Sequence, residues 1–185
     1  MVIVLVRHGQ PTVTSREWIN GHEIPRFASR YRTARISSDS LPPEELRLLV
    51  QSAKAIFTSD LPRSIHSAQI LMPSISIVSN PIFREIEFMF QFPINIRLPA
   101  LIWIILARLF WGLGYSPYSH SQLDAKNQAK QAADFLEQQS SRIGSIVLVG
   151  HGLTNLFIAR ELKRRGWRGP RTPNIGHWSY AVYSL

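Results

Sequence analysis

Val2-Ile3-Val4-Leu5-Val6-Arg7-His8-Gly9 opens the chain: aliphatic residues with no polar interruption, running into an arginine, a histidine and a glycine. A strand wetted on one side alternates apolar and polar positions. This run does not, so it reads as a strand buried on both faces of a sheet, which is a property of α/β folds. In open α/β sheets ligands bind beyond the carboxyl ends of the strands, so Arg7 and His8 emerge from the core at the place where chemistry is usually done.

The pattern returns further along. Ala55-Ile56-Phe57-Thr58 is a second apolar run, followed by Ser59-Asp60-Leu61-Pro62-Arg63-Ser64. Ser59 or Asp60 can cap the next helix and Pro62 suits its first turn, which places Arg63 near a helix N-terminus, where backbone N–H groups favour anions. Ile75, Ile77 and Val78 read as another strand, closed by Asn80-Pro81. Ser145 to Val149 repeats the first run and leads into Gly150-His151-Gly152, with a helix expected over 153–163. A helix introduced by Pro42, Pro43, Glu44 and Glu45, a polar helix from about 121 to 139 and an edge-type strand over 178–185 complete the regular elements. Strands alternating with helices predict a mostly parallel sheet, whose strand ends lie on one rim. Arg7, His8, Arg63 and His151 then converge.

Three segments are less regular. Residues 10–41 are rich in Ser, Thr, Pro and Arg without a sustained period, so they read as a long excursion over the site with room for one short helix. Phe83-Arg84-Glu85-Ile86-Glu87-Phe88 carries two carboxylates two residues apart, which share a face if the segment is extended; spacing alone does not select one. Residues 98–115 are almost entirely apolar, yet Pro99, Arg108, Gly112 and Gly114 argue against a membrane span. A buried or lid-like helix is the first reading, and contact with a membrane interface the alternative.

At 185 residues, with 45% hydrophobic and 18% charged residues, the chain is long and apolar enough for one globular core. It contains no cysteine, which excludes disulfides, thiolate metal sites and cysteine nucleophiles. No basic region followed by a signal-type apolar stretch begins it, so a cytoplasmic location is expected. The net charge of +9 favours anionic partners: phosphorylated small molecules, nucleic acid or a membrane surface. Lys163, Arg164, Arg165, Arg168 and Arg171 form the densest cluster, read as a solvated helix end, and Arg30 and Arg32 add to the excess. Trp167 sits among these arginines, but no RNA-binding motif accompanies it and nucleic acid is not expected. Two arginines and two histidines, with no evident carboxylate ligand set, make a poor metal site and a good phosphate site, because guanidinium groups pair bidentately with phosphate oxygens. Phosphoryl transfer is the reaction these groups suggest.

Leu5-Val6-Arg7-His8-Gly9, Ser59-Asp60-Leu61-Pro62-Arg63-Ser64, Phe83-Arg84-Glu85 and Val149-Gly150-His151-Gly152 follow one another across nearly the whole chain. Together they resemble the histidine phosphatase superfamily, in its phosphoglycerate mutase-like branch. The resemblance implies a three-layer α/β/α sandwich with a mostly parallel central sheet, one domain over 1–185 with an apolar insert around 88–118, and no metal or other cofactor. It makes His8 the nucleophile that becomes phosphohistidine, assigns Arg7, Arg63 and His151 (with His8) to the phosphoryl group, and makes Glu85 the acid that protonates the leaving alkoxide, with Glu87 in reserve. An arginine pair beside His8 disfavours its imidazolium form, and a backbone carbonyl can fix the other ring nitrogen. A helix-capping role is the alternative for His151.

The chain departs from the pattern in places. Phe88-Met89-Phe90-Gln91-Phe92-Pro93 replaces the glycine, aromatic and acidic residues that often follow the third motif, Gln10 to Ser15 replaces the usual polar stretch, and His66 stands where the family often has glutamine. His22, His66, His120 and His177 have no motif support and are read as structural or exposed. The expected function is a phosphatase acting on a phosphomonoester, whether a small molecule, a phosphoprotein or a lipid-like phosphate. A mutase is less favoured, since a chain this short leaves little room for the segments that hold a turning substrate. The alternative from another class is a non-catalytic or membrane-associated binding protein on the same fold, docked by its basic clusters and residues 98–115.

Overall fold

A computed structural model describes residues 1–86, 90, 92–115 and 121–185. In chain order the elements are β1 (Val2–Arg7), β2 (Trp18–Ile19), α1 (Ile24–Thr33), α2 (Glu44–Val50), β3 (Ala55–Thr58), α3 (Pro62–Leu71), β4 (Ile77–Ser79), β5 (Leu98–Pro99), α4 (Ala100–Gly112), α5 (Gln122–Ile143), β6 (Ser145–Gly150), α6 (Gly152–Arg164) and β7 (Tyr180–Ser184). Short 3₁₀ turns occupy Gly21–Glu23 and Pro81–Phe83.

The main sheet has the order β4-β3-β6-β1-β7, parallel except for β7, which closes the edge antiparallel to β1. Side chains of successive strand residues point to opposite faces, and here both faces are dry. Ile3, Leu5, Ile146 and Leu148 pack on one side against Ala129, Ala132 and Leu136 of α5 and Ile158 and Leu162 of α6. Val4, Val6, Val147 and Val149 pack on the other against Leu46 and Val50 of α2 and Ala68 and Leu71 of α3. This is the three-layer sandwich expected from the uninterrupted apolar runs. The register sets up the site: Arg7 lies opposite Gly150, so His8 and His151 leave neighbouring parallel strands side by side.

Several boundaries differ from expectation. The N-cap of α3 is Leu61, not Ser59 or Asp60, because both polar side chains are engaged elsewhere: Ser59 meets His151, and Asp60 forms an ion pair with Arg84. Helix α5 continues to Ile143, past the expected end at 139. Ser121 and Asp124 close a capping box at its start, and Gly144 ends it at φ 92°, a conformation that favours glycine.

Within the basic cluster Arg165, the C-cap residue of α6, is a structural clamp, while Arg168 and Arg171 are exposed. Arg165 reaches Asp134 at 2.6 Å, Glu161 at 2.8 Å and Glu137, tying α6 to α5, while Arg164 pairs with Glu161 at 2.7 Å. Arg164 and then Arg165 hold the Glu161 carboxyl down to about 2. Trp167 is buried and its indole N–H donates to Glu137, so it offers no stacking platform for a nucleobase. Arg165→Ala leaves three carboxylates facing one another and is expected to lower the unfolding free energy at pH 7 by about 2 kcal/mol, discounted for partial exposure. Urea denaturation measures it. Because the depressed carboxyl of Glu161 contributes stability above pH 4.5 that is lost as pH falls toward 2, the difference between wild type and variant narrows in acid.

The segment 98–115 is a roof rather than a core helix. Strand β5 pairs with β2, which joins this segment to the long excursion after β1. Gly21 is needed at that junction, since a Cβ there would fall 2.2 Å from the carbonyl oxygen of Phe92. Ala100, Trp103, Ala107 and Trp111 form one buried stripe of α4, packed with Ile19 and Phe27 on one side and Phe90 and Ala125 on the other. The opposite face of α4 and its C-terminal end leave Leu109 59% and Leu113 85% exposed. Ordinary burial therefore describes only half the helix. Among the described residues no helix is long and apolar enough to cross a membrane.

Candidate active site

His8 leaves β1 with its N–H still in the ladder, donating to Gly150 at 3.0 Å, and its ring is buried. Its Nδ1 lies 2.7 Å from the carbonyl oxygen of its neighbour Gly9. A carbonyl only accepts, so Nδ1 carries the proton and Nε2 keeps its lone pair. Arg63 Nε donates to that Nε2 at 3.3 Å. Burial, then the charges of Arg63 and Arg7, hold the His8 imidazolium well below its ordinary pKa, so the ring is neutral at pH 7. Gly9 admits no side chain: a Cβ would sit 2.7 Å from the Trp178 indole and 2.8 Å from Ser40 Oγ. Its N–H donates to Ser67 Oγ at 2.9 Å, and Ser67 donates to the Arg63 carbonyl at 2.7 Å, which locks the turn after β1 to α3.

The guanidinium of Arg63 is positioned by the excursion after β1. Its Nη1 donates to the Tyr31 carbonyl at 3.0 Å, and it lies 4.7 Å over the Tyr31 ring. Arg7 donates through Nη1 to the Ile175 carbonyl, while its buried Nε has no hydrogen-bond partner among the described residues.

His151 is fully buried, its ring edge-on to His8 at 5.1 Å between centroids. It occupies the N-cap position of α6 but makes no side-chain capping bond. Instead Nε2 lies 2.7 Å from Ser59 Oγ. Ser59 accepts from the Leu61 N–H at 3.3 Å, so its own proton is free to go to Nε2. That assigns the ring proton of His151 to Nδ1, which is buried and without a partner among the described residues. Two donors in one buried cluster, Arg7 Nε and His151 Nδ1, thus lack acceptors; such groups are costly unless an anion accepts from them.

Glu85 enters from the loop after the 3₁₀ turn at Pro81–Phe83. Its Oε1 accepts from the Thr154 N–H at 3.1 Å and the Ile86 N–H at 3.2 Å, and lies 3.0 Å from Thr154 Oγ1. Thr154 is in the first turn of α6, so this contact ties the Glu85 loop to that helix. Oε1 is anchored, and Oε2 remains for the cavity that Glu85 lines together with Arg7 and Arg63. The other candidate, Glu87, lies outside the described residues, as does His120. Among the described residues no cluster of three or more His, Asp or Glu side chains is placed to hold a metal ion.

His177 is exposed, as the sequence reading allowed, yet it also borders the site. Its ring lies 5.6 Å from His8 and lines the cavity, and burial together with Arg7 pushes its pKa down to about 4. The cause is the antiparallel pairing of β7 with β1: the residues entering β7 must pass the carboxyl end of β1, and the Trp178 N–H donates to the Arg7 carbonyl. His22 is exposed, as expected, and His66 is half-buried on α3. Ser67 and Thr154, which hold Gly9 and Glu85, were not singled out by sequence, and Ser59, which holds His151, was read only as a helix cap. Asn155, which donates to the Val6 carbonyl at 3.0 Å, was missed as well.

The three depressed histidines make stability depend on pH with a definite sign. Unfolded, each titrates near 6.5; folded, each titrates lower, so the unfolded chain binds more protons below pH 6.5. Stability is fully present above 6.5 and falls with acid, so calorimetry should show Tm dropping from about pH 6.5 to 5. A Tm that is level or rises over that range contradicts the neutral, buried pair.

No protein-family model matches the sequence. No curated protein matches it. Solved structures match over almost its full length. A mycobacterial glucosyl-3-phosphoglycerate phosphatase superposes with a TM-score of 0.65 at 18% identity, covering 98% of this chain and 88% of that one. A phosphoserine phosphatase from Entamoeba histolytica, solved with 3-phosphoglyceric acid, gives 0.66 at 14% identity, covering 98% and 89%. A protein described as mycobacterial hydrolase 1 gives 0.68 at 17%, covering 98% and 87%. The chain has the fold of these proteins, the phosphoglycerate mutase-like α/β/α sandwich.

Proposed function

We propose that the protein is a phosphatase that hydrolyses a phosphomonoester through a phosphohistidine on His8. The observation that carries this reading is the state of His8: neutral, proton held on Nδ1 by the Gly9 carbonyl, lone pair on Nε2 directed at the Arg63 guanidinium. A phosphoryl group placed there meets a nucleophile and two cations at once. Nε2 attacks phosphorus as the bond to the leaving oxygen breaks, and Glu85 delivers its proton to that oxygen. Arg7, Arg63 and the Nδ1–H of His151 take the charge on the equatorial oxygens, which accounts for the two donors that lack acceptors. Water, deprotonated by the Glu85 carboxylate, then cleaves the N–P bond; phosphate leaves, and His8 and Glu85 return to their starting protonation states. The two phosphatases that share the fold add support, since their names place phosphate-ester hydrolysis on the same scaffold. The test is phosphate release from a panel of phosphomonoesters in the presence of a chelator. Hydrolysis of at least one ester that chelation does not diminish is expected; release from none, or only with added metal, overturns the proposal.

The exposed face of α4 favours peripheral contact of the same enzyme with an anionic membrane. Ile102, Ile105 and Leu109 are exposed apolar residues on a helix that follows Arg97 and carries Arg108, in a chain of net charge +9. Flotation with vesicles containing phosphatidylserine should carry the protein upward, and Leu109→Glu should abolish this. Equal recovery with neutral and anionic vesicles, or none with either, removes the contact.

A further inference from the structure

The ligand class of the site follows from what surrounds its mouth. The cavity above the arginines has a volume of about 680 Å³. Even at the roughly 30 Å³ that a water molecule occupies in the liquid, the five heavy atoms of a phosphoryl group take about 150 Å³, which leaves room for some 15 to 18 further heavy atoms. Gln10, Thr14 and Ser15 add polar groups to the lining, but apolar surface makes up most of it. The inner wall is built from Val13, Ile19, Phe27, Phe92, Trp103 and Ile104, all buried or half-buried and joined in one apolar cluster between α1 and α4. The indole N–H of Trp103 is turned away to the Ile19 carbonyl at 2.9 Å, so the largest polar-capable group on the wall offers no donor. Apart from Arg7, Arg63 and Glu85 around His8, the charged residues lining the cavity are Arg16, Arg32 and Arg108, and all three are exposed.

A small polar ester such as phosphoserine would leave this wall uncovered and find few partners on it. A flexible apolar chain would cover it and displace water from aromatic and aliphatic surface. We infer that the site takes phosphomonoesters of alcohols bearing a long apolar chain, the phosphate on the two arginines and the chain under α4. The inference rests on the proposed phosphatase reading for the orientation of the ligand, with the phosphate against His8.

Binding and turnover separate the two claims. Alkylphosphonates from ethyl to octyl, used below micelle-forming concentrations, cannot be hydrolysed and report binding alone. By calorimetry the dissociation constant is expected to fall about 2- to 4-fold per added methylene, so that octylphosphonate binds ~50-fold or more tighter than ethylphosphonate. A dissociation constant flat along the series, or tighter binding of phosphoserine than of octylphosphonate, overturns the inference. Ile104→Asn should flatten the series, and its Tm reports whether it folds; if it does not, the wild-type series decides by itself. In parallel, hydrolysis of the alkyl phosphates is followed. Ethyl and octyl phosphate turned over with the same kcat/KM would refute the chain site and leave the phosphatase standing. Tight octylphosphonate binding with no hydrolysis of any ester would refute the phosphatase and leave the chain site standing.

Discussion

His8→Asn is expected to lower kcat/KM for phosphomonoester hydrolysis by about 10⁴-fold or more, while the variant stays folded and still binds inorganic phosphate. Asparagine is the informative replacement because its amide nitrogen can occupy the place of Nδ1 and keep donating to the Gly9 carbonyl, which preserves the turn after β1. What it lacks is the second ring nitrogen, the atom that faces Arg63. Arg7, Arg63 and His151 remain to hold an anion. Phosphate protection of Tm in the variant, set against lost turnover, separates the nucleophile from the cradle; turnover within 10-fold of wild type would mean that His8 does not attack phosphorus at all.

Glu85→Gln carries the second large effect, and its size depends on the substrate. With an alkyl ester, whose leaving alkoxide needs a proton as the bond breaks, kcat is expected to fall about 10²- to 10⁴-fold. With p-nitrophenyl phosphate, whose phenolate leaves unaided, the loss in the first step should be less than about 10-fold. Glutamine keeps an acceptor oxygen for the Thr154 and Ile86 N–H groups, so the loop stays anchored and the comparison isolates the proton. Glu87→Gln provides the control: if it, and not Glu85→Gln, shows the leaving-group dependence, the acid has been assigned to the wrong carboxylate.

How far the sequence reached follows from the kind of signal each residue gave. The sandwich was legible because β1 and β6 are continuous apolar runs that only a doubly covered sheet accommodates, and because Arg7, His8 and His151 stand immediately after them. Once Arg7 pairs with Gly150 in register, the meeting of His8 and His151 is a matter of geometry. Glu85 was legible only through the resemblance, since its spacing from Glu87 favoured neither; it is the contact with the first turn of α6, distant in sequence, that draws it in. The place of His177 beside the site was missed because nothing local marks it, although an edge strand antiparallel to β1 necessarily brings the residues before it past His8. Ser59 looked like a helix cap, and a buried imidazole competed for it. In α4, apolar content all round gave no amphipathic period, so the division into a buried stripe and an open face came from packing against α1 and Phe90, which no window of sequence contains.

The central claim is covalent chemistry at one nitrogen. Mixing the enzyme with a phosphomonoester labelled in its phosphoryl group, quenching in alkali within milliseconds and mapping the label tests it most directly. The account predicts a phosphoenzyme stable in base and labile in acid, with the label on the peptide that contains His8 and absent from His8→Asn. Turnover with no trapped label, or with label on another residue, would contradict it.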